Sequence, residues 1–177
     1  MKALRMPTRM MSDQQELRTY VGFSVYKGKC AMQVKPIPPT FKATDKSMTI
    51  ARDGTFFLEF APSTGTGTRE YDWTRKTSFS LSPLECAEIT RLNEKGTVEF
   101  VHDPNQNSPD AGKIVKKFKM SPAPDGKGFF ANLSVSDRSN PNGNAAYAIV
   151  LTWAEMELLK NLMQFSIPRM LGFDKVF

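Results

Sequence analysis

The chain has 177 residues, with 24 Lys and Arg against 18 Asp and Glu, a formal net charge of +6, two cysteines and a single histidine. That length suits one domain or two merged halves, and it is enough to bury a sizeable core. One histidine and two unpatterned cysteines exclude a His-rich or Cys-rich metal centre, and no window approaches the eighteen apolar residues of a spanning helix.

The cationic excess favours polyanionic partners without specifying one. Cys30 and Cys86 sit in apolar patterns and read as small buried hydrophobes, which fits a reducing compartment. The first stretch, Met1 to Gln15, carries Lys2, Arg5 and Arg9 with no apolar run and no secretory cleavage pattern. Residues 1–19 therefore read as a flexible basic segment, a targeting remnant or non-native sequence, and residues 20–177 as the domain.

A first strand is expected within Val21 to Pro36, ended by Pro36, Pro38 and Pro39. Phe41 to Ile50 holds a short second strand, and Asp53-Gly54 is a hairpin turn signal leading to a third strand, Thr55 to Ala61. Pro62 to Thr68 is a Gly/Ser/Thr loop without the Lys-Ser/Thr of a phosphate-binding loop. Arg69 to Leu81 reads as a fourth strand, with Tyr71, Trp73, Phe79 and Leu81 on one parity and Arg75 and Lys76 marking a partly exposed ribbon.

Ser82-Pro83-Leu84-Glu85 then opens a short helix to about Leu92, with Leu84, Ala87 and Ile89 near one face. Ser at the cap and Glu three residues on form a capping box, and Pro fits the first helical position because its missing N–H is unpaired there anyway. The second half repeats the plan: strands at Thr97 to His102, Lys113 to Met120, Phe129 to Val135 and Tyr147 to Leu151, then Thr152-Trp153-Ala154-Glu155 as a second capping box. In that helix Met156, Leu159, Leu162, Met163 and Ile167 recur at helical spacing until Pro168 ends or kinks it. The tail from Arg169 to Phe177 stays apolar, which points to intrachain docking or a subunit interface. Strands then helix, twice, is an α+β pattern. Duplication and chance both explain two such boxes.

An enzyme is poorly supported. The only candidate acid–base group is His102-Asp103 with Asp72 elsewhere, and it reads more simply as a strand end and a turn. A nuclease built on Asp72, Glu99 and Asp103 has no specific support, and no cofactor is expected. A binding surface is better supported, because single-strand binders combine cations along the backbone with rings on which bases stack. Such mixtures occur at Tyr26, Lys27 and Lys29, at Arg69, Tyr71, Trp73, Arg75 and Lys76, and at Lys116, Phe118, Lys127 and Phe129. Half or more of the aromatics belong to the core by alternation, Phe56, Phe60 and Phe100 among them, and Trp73 fits either place.

Lys-Gly-Lys over 27–29, Tyr-Asp-Trp over 71–73 and His-Asp-Pro over 102–104, in that order, resemble segments of the Whirly proteins of plants. Tyr26-Lys27-Gly28-Lys29-Cys30-Ala31-Met32 is similar to their Lys-Gly-Lys-Ala-Ala-Leu signature, and Glu70-Tyr71-Asp72-Trp73 to their Tyr-Asp-Trp segment. Glu99-Phe100-Val101-His102-Asp103-Pro104 and the ending Ile167-Pro168-Arg169-Met170-Leu171-Gly172-Phe173-Asp174 follow. The resemblance covers roughly Tyr20 to Phe177.

It implies two four-stranded antiparallel sheets packed roughly perpendicular, each followed by a helix. It also implies a homotetramer through the C-terminal helical region, with larger assemblies tied to the Lys-Gly-Lys segment. The implied function is non-catalytic, largely sequence-independent single-stranded DNA binding in chloroplast, mitochondrion or nucleus. There it would guard DNA against error-prone rearrangement, with links to transcription. Trypanosomatid guide-RNA-binding proteins share this fold on RNA, so RNA is the alternative ligand. Cys30, Met32 and Gln33 depart from the signature, Thr64 to Thr68 looks longer than the usual connection, and Phe173 stands where Trp is more typical.

Overall fold

The computed structural model describes residues 19–65 and 69–176, so the basic segment, apart from Thr19, and the middle of the Gly/Thr loop lie outside the described residues. The first half contains β1 (Phe23–Lys27), β2 (Cys30–Ile37), β3 (Thr40–Ala43), β4 (Met48–Arg52), β5 (Thr55–Pro62), β6 (Thr77–Leu81) and helix α1 (Pro83–Thr90). The second contains β7 (Val98–His102), β8 (Ile114–Pro122), β9 (Gly128–Asp137), β10 (Ala145–Thr152) and helix α2 (Trp153–Met170). The strands form two four-stranded antiparallel sheets, ordered β1-β2-β5-β6 and β10-β9-β8-β7, with β3-β4 as a separate hairpin. Without that hairpin, each half is a four-stranded meander followed by a capped helix.

Several local expectations change, among them the single strand over 41–50, which is the hairpin β3-β4, and the stop at Pro36, which lies inside β2. The stretch 21–36 is not one strand: the chain turns at Gly28-Lys29, with Lys27 facing Cys30 across a two-residue connection. Asp53-Gly54 makes no hairpin, because β4 pairs with β3 and β5 with β2 and β6. Gly54 has a different use: its N–H donates to the Met170 carbonyl at 2.8 Å. A Cβ there would lie 2.6 Å from the Ile37 carbonyl and 2.9 Å from Met170 Cα, so only glycine lets the end of α2 come this close. The stretch 69–81 is strand only over Thr77–Leu81. Asp72 accepts from the Thr74 N–H at 3.0 Å and caps a single 3-10 turn, Trp73–Arg75, which breaks the alternation.

The helices start where expected. Glu85 N–H donates to Ser82 Oγ at 3.3 Å while Ser82 N–H donates to Glu85 Oε2 at 2.8 Å. Thr152 and Glu155 repeat this at 3.2 and 2.7 Å. On α1 the buried positions are Cys86 and Ile89, whereas Leu84 is exposed; two residues carry it roughly 200° round the helix from Cys86. On α2, Met156, Leu159, Met163 and Met170 are buried, and the helix runs past Pro168 to Met170. Gly172, at φ +70, then turns the chain under Ile50 and Phe41 of the β3-β4 hairpin.

One core joins both sheets and both helices: Met32, Leu58, Phe60 and Phe79 from the first sheet, Phe118, Phe129 and Leu133 from the second, with Cys86 and Met156. Both cysteines are buried, and burial pushes their thiols up, Cys30 to about 11 and Cys86 to about 12. The two capping carboxylates also tie the halves together. Glu85, on the helix after the first sheet, meets His102 Nε2 of the second at 2.6 Å. Glu155, on the helix after the second sheet, meets Lys27 Nζ of the first at 2.8 Å. His102 and Lys27 each close the first strand of their sheet. The two halves thus repeat in topology, in capping and in the clasp each helix makes with the other half.

Candidate nucleic-acid interface

Register decides which side chains each sheet turns away from the core. In the first sheet, Val25, Met32 and Phe60 share the core face, so the neighbouring positions Ser24, Tyr26, Gln33, Lys35, Phe57, Glu59, Ser78 and Ser80 share the outer one. Tyr26 is 49% exposed. Its ring packs on Tyr71 with centroids 5.5 Å apart and planes tilted by 41°. Tyr71 is fixed in turn, because its hydroxyl donates to the Lys27 carbonyl at 2.8 Å. The segment carrying Tyr71, Trp73, Arg75 and Lys76 folds back along this sheet, held by Asp72 N–H on the Pro62 carbonyl at 2.9 Å and Ser63 N–H on the Lys29 carbonyl at 3.1 Å.

This brings most of the first-half candidates to one end of the first sheet: Tyr26, Lys27, Lys29, Tyr71, Trp73, Arg75 and Lys76, with exposed Arg69 following the Gly/Thr loop. Their side chains are not equivalent. Lys27 belongs to the core-facing parity and spends its ammonium on Glu155, whereas Lys29 sits exposed in the turn. Burial of Glu155 opposes ionisation, but Lys27 and Thr152 outweigh it and hold the carboxyl below the usual range. Arg75 is paired with Asp72 at 2.7 Å. Bonds from Thr74 and then Arg75 pull the Asp72 carboxyl down to about 2.

Lys76 reaches Glu59 at 2.5 Å, and Lys35 reaches the other oxygen of the same carboxylate at 2.5 Å. Glu59 is buried, which works against its charge, yet the two ammonium groups prevail and hold it below the usual range. Lys35, Gln33 and Phe57 are not among the binding residues that the sequence suggests. Strict alternation from buried Val34, Leu58 and Phe60 is the signal that places them outside.

The second-half candidates divide. Phe118 and Phe129 are sealed in the core at 1% and 0% exposure and offer no face to a base. They sit on the parity of Phe100, Met120, Leu133 and Leu151, so the interface loses them. The same register turns Lys117, Lys119, Phe130 and Asn132 outward. Lys127 is exposed in the β8-β9 connection, beside Gly126, whose carbonyl accepts from Trp153 Nε1 at 2.9 Å at the start of α2. Lys116 points to the seam between the sheets and donates to the Ser78 carbonyl at 2.9 Å.

The carboxylates weighed for a nuclease are otherwise engaged. Asp72 caps its turn, Glu99 pairs with Lys117 at 3.0 Å, and Asp103 accepts from the N–H groups of Asn105 and Gly112 at 2.8 and 2.6 Å. Among the described residues no group of three His, Cys, Asp or Glu could hold a metal ion, and no helix is long and apolar enough to cross a membrane.

Residues 25–162 match the family model described as Whirly transcription factor. The chain belongs to the Whirly family. The chloroplastic single-stranded DNA-binding protein WHY1 of Solanum tuberosum is 41% identical over 157 residues, which is 88% of this chain and 56% of that protein. The mitochondrial single-stranded DNA-binding protein WHY2 of Arabidopsis thaliana is 34% identical over 90% of this chain and 66% of its own length. This Whirly chain therefore spans little more than half to two thirds of these curated relatives. Among solved structures, the crystal structure of WHY1 from Arabidopsis thaliana superimposes with a TM-score of 0.85 at 40% identity, covering 90% of each chain.

Proposed function

We propose that this Whirly protein binds single-stranded DNA without catalysis and with little regard to sequence. The observation that carries the reading is the fixed Tyr26–Tyr71 ring pair on the outer face of the first sheet, a face that also carries Lys35, with Lys29 exposed in the adjoining turn and Lys76 reaching over to Glu59. A ring held in place loses little freedom when a base stacks on it, and each such stack contributes ~1–3 kcal/mol. Lysine–phosphate contacts add a sequence-blind, salt-sensitive share. Lys117, Lys119 and Phe130 extend the same chemistry over the outer face of the second sheet.

The protein acts as a homotetramer in this reading. Leu158, Phe165, Phe173 and Val176 leave a large apolar surface exposed along α2 and the tail of the single chain, which a subunit interface would cover. A ring of copies repeats one modest patch and raises effective concentration along a strand. Work in an organelle is supported by the chloroplastic and mitochondrial relatives, and protecting the DNA there against error-prone rearrangement is part of the proposal. Binding to single-stranded DNA, duplex DNA and RNA of one sequence, titrated with salt and with mass measured in the same buffer, tests the reading. Single-stranded DNA should win, its affinity falling steeply with salt, at the mass of four chains. Equal affinity for duplex or a preference for RNA overturns the choice of ligand, and a monomer overturns the assembly.

A further inference from the structure

A recess lies where the two sheets meet, at the edge strands β6 and β7. It is a cavity of about 490 Å³, within the size range that takes a small-molecule ligand. Phe57, Ser78 and Ser80 line it from the outer face of the first sheet, Val101 from the second, and Arg52 and Lys116 supply cations. Val101 is 57% exposed at its rim.

Most polar groups here have a structural task. His102 stacks on Phe79 with centroids 4.2 Å apart and bonds Glu85, and Asp103 is held by two backbone N–H groups. Lys116 differs. It is half-buried, has no carboxylate partner among the described residues, and donates its one hydrogen bond there to the Ser78 carbonyl. Burial lowers its pKa, as expected for a cation taken from water without a counter-ion. A lysine in that setting beside an open cavity fits an anion. A half-exposed Phe57 ring and two serines on an edge strand fit the rest of a nucleotide, a base above the ring and a sugar or base edge at the hydroxyls.

We propose that this recess takes one unstacked nucleotide of the bound strand, its phosphate on Lys116 and Arg52 and its base on Phe57. The site rests on the reading of the protein as a single-strand binder and adds a subsite separate from the Tyr26 patch. It also supplies a physical reason to reject duplex, in which every base is paired and stacked and none can enter.

The test uses the whole 177-residue chain with an oligothymidine containing photoreactive thymidines, the adducts being mapped by peptide mass spectrometry. Adducts are expected at Phe57 or within the segment 101–106, in addition to Tyr26. Lys116→Gln should reduce the recess adducts by roughly five-fold or more, while those at Tyr26 persist. The log–log salt slope should shrink by about 0.7, one phosphate contact on a single strand. Val101→Glu, an exposed rim change that leaves the core alone, should do the same if Lys116→Gln folds poorly. Adducts at Tyr26 with none at the recess, or recess adducts indifferent to both variants, overturn the subsite and leave single-strand binding standing. No binding of the oligonucleotide at all overturns both.

Discussion

Two strands of this protein read almost alike and are used in opposite ways. Tyr26-Lys27-Gly28-Lys29 and Lys116-Lys117-Phe118-Lys119 both mix one ring with closely spaced cations. In the first, the ring faces out and Lys27 faces in, where Glu155 neutralises it. In the second, Phe118 faces in, Lys117 and Lys119 face out, and Lys116 is left at the seam without an acidic partner among the described residues. Cation–aromatic content alone does not make a binding strand. The parity of the ring relative to the core decides whether it is open to solvent or holds the two sheets together.

The largest expected effect breaks the second strand. Phe118→Ala removes a buried ring that packs on both Phe60 and Phe79, and should cost about 3–5 kcal/mol in chemical denaturation. Single-strand affinity per folded molecule should be unchanged; a specific loss of affinity at full stability would return Phe118 to the interface. Tyr26→Ala should do the reverse. About 1–3 kcal/mol of single-strand binding should disappear in a fluorescence titration, with little change in melting temperature.

The smallest effect separates the two lysines of the turn. Lys29→Met should weaken binding, whereas Lys27→Met should mainly lower stability, by about 1 kcal/mol or less because both members of its ion pair keep contact with solvent. That stability has a defined pH dependence. The Glu155 carboxyl is held below its usual range in the folded protein, so its contribution is present above the unfolded-state value. It is lost as pH falls through the lowered folded value. Denaturation between neutral pH and pH ~3 should show a shallower acid decline in Lys27→Met than in the parent. Identical acid limbs would mean that the clasp contributes nothing to folding.

Much of this was legible in the residues. Both helix starts could be read because a capping box is a local device: a hydroxyl, a carboxylate and two N–H groups within four residues fix the geometry unaided. The second-half strands could be read because they form a plain meander, each strand pairing with the next in the chain. The misreadings have two different causes, one distant in the chain and one local. Asp53-Gly54 carries the signature of a hairpin, but the demand on Gly54 comes from Met170, over a hundred residues away. Tyr71 to Leu81 alternates well enough for a strand, but Asp72 binds Thr74 and Arg75 and diverts the chain into a 3-10 turn.

By itself the sequence determined the class of this protein: two runs of strands each ending in a capped helix, an excess of cations, rings interleaved with them, and the family those stretches belong to. Only the tertiary structure decided which rings are free. Side chains alternate between the two faces of every strand, so a strand's own sequence offers two equally periodic choices, and the partner against which it packs selects one. The same packing committed Lys27 to Glu155, placed Lys35 and Lys76 on one buried carboxylate, and left Lys116 beside an open recess. Each of those contacts joins residues far apart in the chain, and no local pattern carries information about them.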